Sequence, residues 1–135
     1  MGTLDSRIVL SVPLGQKAGG TWSAVQNGAA YAAAPFDMEI DHIDLGITMG
    51  GGKNSAGSGN FEIVASHEGV AMWAADGLQI AYSSVHPYAT IARANLLVKS
   101  LRAGKEIRLD VTEVFGGAAT VYPDAAVVTF VGVAY

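Results

Sequence analysis

The chain has 135 residues, half of them hydrophobic and only 15% charged, with 17 glycines, no cysteine and a net charge of −4. That length fits one domain with its own core; the missing cysteines exclude a disulfide framework and a thiolate metal site and suit a reducing compartment. Arg7, Lys17, Lys53, Arg93, Lys99, Arg102, Lys105 and Arg108 are scattered, so there is no basic stripe for nucleic acid, and the longest nearly pure apolar run, residues 125–135, is about half a membrane span.

In chain order, no basic-then-apolar leader opens the sequence. Met1-Gly2-Thr3-Leu4-Asp5-Ser6 matches a loose acylation pattern, but no polybasic segment follows to turn one acyl chain into an anchor. Residues 7–12 read as a short strand stopped by Pro13. Residues 13–35 are rich in Gly and Ala and show no helical stripe, so residues 1–35 read as an extended arm or as the first, weakly paired strands. Residues 36–135 then form the folded domain. Residues 37–48 are a long strand: Met38 and Ile40 share one parity, Ile43, Leu45 and Ile47 the other. A strand keeps one parity on one face, so the switch near Asp41 and His42 predicts a bulge.

Residues 50–59 are a glycine-rich loop. Residues 61–66 form the next strand, and 70–73 and 78–82 two more across the turn Ala75-Asp76-Gly77. Residues 89–99 could pass for a helix by propensity, but Thr90, Ile91 and Val98 suit a strand and the neighbours are β-like, so residues 88–99 read as extended. Residues 105–111 alternate cleanly, with Ile107, Leu109 and Val111 on one face and Glu106, Arg108 and Asp110 on the other, as a half-buried strand requires. Gly116-Gly117 turns the chain into Val121-Tyr122 and a last strand, 126–135. That strand is apolar on both faces: Val127, Val131 and Val133 on one, Val128, Phe130 and Ala134 on the other. About eight short strands with Gly-rich turns predict an all-β, antiparallel β-sandwich, with a jelly roll the first topology.

The motifs carry little chemistry. Gly52-Lys53 is followed by Asn54, and Ile47 stands where a phosphate-binding loop needs its first glycine. No two of His42, His67 and His86 have metal-ligand spacing, and a jelly-roll enzyme would need at least two to converge. Ser66-His67-Glu68 holds nucleophile, base and acid types, but neighbours on a strand point to opposite faces. Asp37, Glu39 and Asp41 alternate along one strand and offer a face to a basic partner. Trp22, Trp73, Tyr82, Tyr88, Tyr122 and Tyr135 are possible sugar-stacking platforms, with Trp73 better placed in the core. No catalytic residue, cofactor or metal is expected.

The run Ala34-Pro35-Phe36-Asp37-Met38-Glu39-Ile40, the glycine loop after it, and Gly104-Lys105-Glu106-Ile107-Arg108-Leu109-Asp110-Val111-Thr112, taken with the length and strand pattern, resemble small jelly-roll structural proteins of tailed-bacteriophage virions. That group holds capsid decoration (cement) proteins and head-fibre or tail-associated proteins. The resemblance implies a virion protein at the capsid surface, assembled in the host cytoplasm. It would be a homo-oligomer, with a trimer favoured, binding the major capsid protein or another virion protein and neither nucleic acid nor membrane. The interface is then expected at Val9, Val12, Trp22, Val127, Phe130, Val131, Val133 and Tyr135, with residues 1–35 reaching a neighbour. The alternative is a carbohydrate-binding, receptor-binding module of a tail fibre.

Overall fold

A computed structural model describes residues 7–18, 21–22, 29–49, 58–74, 77–81, 88–116 and 123–134. Among the described residues its strands are β1 (Arg7–Ala18), β2 (Thr21–Trp22), β3 (Ala29–Ala33), β4 (Met38–Met49), β5 (Ser58–His67), β6 (Val70–Ala71), β7 (Gln79–Ala81), β8 (Tyr88–Ala92), β9 (Ser100–Leu101), β10 (Glu106–Gly116) and β11 (Pro123–Ala134), and a 3-10 turn lies at Arg93–Asn95. Among the described residues no helix is long and apolar enough to cross a membrane.

The larger sheet runs β2-β1-β11-β4-β8, with β9 also beside β4; the smaller runs β3-β10-β5-β6, with β7 also beside β5. Every pairing is antiparallel. Counting β6 with β7, and β8 with β9, as interrupted strands, and setting aside the short return β2, eight positions remain. The first pairs the last (β1 with β11), the second the seventh (β3 with β10), the third the sixth (β4 with β8 and β9), and the fourth the fifth (β5 with β6 and β7). That is one long hairpin, rolled up until β11 also pairs β4 and β10 also pairs β5. The all-β sandwich expected from the sequence is therefore a jelly roll.

Strand alternation places the core. Ile107 and Leu109 of β10, Ile63 and Ala65 of β5, and Val128 and Phe130 of β11 are buried between the sheets, while Glu106 and Arg108 are exposed. Trp73 joins them, 1% exposed, and its indole N–H donates to the Ile63 carbonyl at 2.9 Å, so the polar tip of a large buried ring is satisfied. In β4 the inward set changes from Met38 and Ile40 to Ile43 and Leu45. The register explains it: His42 faces Val131 while Ile40 faces Gly132, so Asp41 is an extra residue, a bulge where parity predicted one.

Three expectations change. First, residues 7–18 and 29–33 do not reach outward as an arm; they take the alternative of first strands. β1 pairs β11 over residues 7–16 and β3 pairs β10, with Val12 and Leu14 buried. Consequently 36–135 is not a sandwich without them. Second, Pro13 does not end β1. It is solvent-exposed beside a register shift between Pro13 and Gly15, and an edge strand tolerates a missing N–H. Third, β6 and β7 do not pair each other. Both lie along β5, one at residues 66–67 and the other at 60–62, because Met72 and Trp73 between them turn into the core. Residues 50–57 of the glycine loop, and Val121 and Tyr122, lie outside the described residues.

Candidate functional site

The two outer faces of the sandwich differ in chemistry. On the smaller sheet, Arg108 donates from Nε to Asp110 Oδ1 at 2.9 Å and its guanidinium lies 5.9 Å from the centre of the Tyr31 ring. With Glu106 exposed beside them, this face is polar and wet.

On the larger sheet the registers of β1, β11, β4 and β8 set up four cross-strand rows: Arg7, Val133, Glu39; Val9, Val131, His42, Ala92; Ser11, Thr129, Asp44, Thr90; and Pro13, Val127, Gly46, Tyr88. Residues paired across antiparallel strands share a face, so these rows are the outer surface. Its β1 and β11 half is apolar. Val9 is 61% and Val133 37% exposed, Val127 and Val131 are half-buried and Pro13 is exposed. The row Ser11 and Thr129 adds only small hydroxyls, 3.5 Å apart.

The β4 half is charged, and its carboxylates have partners within the chain. At the bulge, Asp41 Oδ2 lies 2.8 Å from His42 Nδ1 and 3.8 Å from an Arg7 guanidinium nitrogen. The His42 hydrogen bond, aided by the charges of His42, Arg7 and Arg93, holds the Asp41 carboxyl below its ordinary value against a smaller opposing effect of burial. The other ring nitrogen, His42 Nε2, is 3.4 Å from Asp44 Oδ2, whose second oxygen accepts from the Thr90 hydroxyl at 2.6 Å. Arg93 bonds both the Glu39 carboxylate and the Ile40 carbonyl.

Of the expected interface residues, the structure brings Val9, Val127, Val131 and Val133 together on this face. Val12 and Phe130 have the opposite parity and lie in the core, 5% and 0% exposed, so they are packing residues of one subunit. The backbone of Trp22 pairs Lys17; its side chain, and all of Tyr135, lie outside the described residues. Pro13, Ser11, Thr129 and Tyr88 complete the face and were missed, because alternation gives a residue's face but not its neighbour across the strand. Asp37, Glu39 and Asp41, expected as a face for a basic partner, each have a contact within the chain: Asp37 accepts from the Ala103 N–H at 2.8 Å, Glu39 pairs with Arg93, and Asp41 lies against Arg7 and His42.

His67 lies in the other sheet, 4% exposed. Its Nε2 accepts from the Arg102 N–H at 3.0 Å, which leaves the proton on Nδ1 to donate to the Glu106 carbonyl at 3.1 Å. Both ring nitrogens thus satisfy backbone groups, leaving neither for a neighbouring Ser66. His42 faces solvent on the larger sheet, so the two do not converge; His86 is outside the described residues. Among the described residues no group of three His, Asp or Glu is arranged to hold a metal ion. Among the described residues Tyr31, Phe36 and Tyr88 are exposed aromatic rings, and Tyr31 and Tyr88 lie on opposite outer faces; the side chains of Tyr82 and Tyr122 lie outside the described residues. No protein-family model matches the chain, and no curated protein matches its sequence.

Proposed function

We propose that this protein is a structural component of a bacteriophage virion, a capsid decoration protein that associates with its own copies and with the major capsid protein. The observation that carries this reading is the apolar half of the larger sheet's outer face, Val9, Pro13, Val127, Val131 and Val133, on a chain with little surface charge. An outer sheet face in water is ordinarily polar, and a contiguous apolar patch marks a contact surface. The resemblance to virion jelly rolls supports the partner. Burial of this patch supplies the affinity, and each further contact on a fixed lattice is intramolecular, so modest interfaces become firm.

The test is the solution mass of the purified protein by light scattering, wild type against Val9→Asp combined with Val131→Asp. The wild type is expected as an oligomer, with a trimer favoured. The double variant is expected as a monomer with an unchanged far-UV circular dichroism spectrum, because both side chains point away from the core. A wild type that stays monomeric at several hundred micromolar, or a double variant that keeps the oligomer, overturns the contact surface.

A further inference from the structure

We draw no further inference here: the strongest candidate, the apolar half of the larger sheet's outer face around Val9, Val127, Val131 and Val133, is the contact surface already proposed, and nothing in the structure shows what covers it.

Discussion

Gly132 shows how tightly single residues constrain this fold. A Cβ built on it would lie 1.9 Å from the Glu39 carbonyl oxygen, a backbone atom that cannot step aside without breaking the pairing of β11 with β4. The cause is the Asp41 bulge, which brings the β4 backbone over the β11 strand at Gly132. Gly132→Ala should therefore destabilise the protein by about 1–3 kcal/mol, the usual cost of overpacking, measured by urea denaturation. An unchanged midpoint would mean that the two strands separate there at no cost. Such a requirement cannot be read from the sequence. One glycine among 17 carries no mark of the carbonyl opposite it, whereas the parity switch that produced the bulge was plainly legible in Met38, Ile40, Ile43 and Leu45. Glu68 is a similar case. It is the one described non-glycine residue with positive φ, 53°, followed by Gly69 at 81°, and together they make the tight turn between His67 and Val70 that favours such residues.

At the scale of elements, legibility followed the number of alternating residues. β10 could be read directly, because Ile107 and Leu109 alternate with charged Glu106 and Arg108. β1 could not be followed past Pro13, although Val12 and Leu14 continue its inward parity, because the proline and the register shift beyond it interrupt the pattern. This element decides what the N-terminal region does. β1 contributes Val12 and Leu14 to the core and covers one side of β11 over residues 7–16. Each buried aliphatic side chain is worth about 1.5–3 kcal/mol, and a domain has only about 5–15 kcal/mol in total. Deleting residues 1–20 should accordingly abolish cooperative unfolding in a calorimeter, rather than release a stable domain that has lost only its partner. A truncated protein with a sharp transition would show that β1 is dispensable and would restore the arm.

The whole molecule depends on information that periodicity does not hold. Alternation tells which face a side chain takes; it does not tell that β1 lies beside β11, since that pair joins the two ends of the chain. The outer-face rows follow only from the register, which is why Val12 and Phe130 could be mistaken for contact residues while Pro13 read only as a strand stop and Tyr88 only as a sugar platform. The same rows determine what kind of contact the molecule makes. The valines offer apolar area, while the carboxylates of β4 have partners in Arg7, Arg93, His42 and Thr90 within the subunit. Ordinary salt and sulfate then act on association in a known direction. Screening weakens a contact built from opposite charges on two molecules, whereas sulfate, excluded from protein surface, strengthens apolar burial. At constant pH, raising sodium sulfate from 0.05 to 0.5 M should increase the association constant measured by sedimentation equilibrium. The Val9→Asp and Val131→Asp pair should remove that increase. A constant that falls steadily with salt would instead place the contact on the charged groups and move the interface away from β1 and β11.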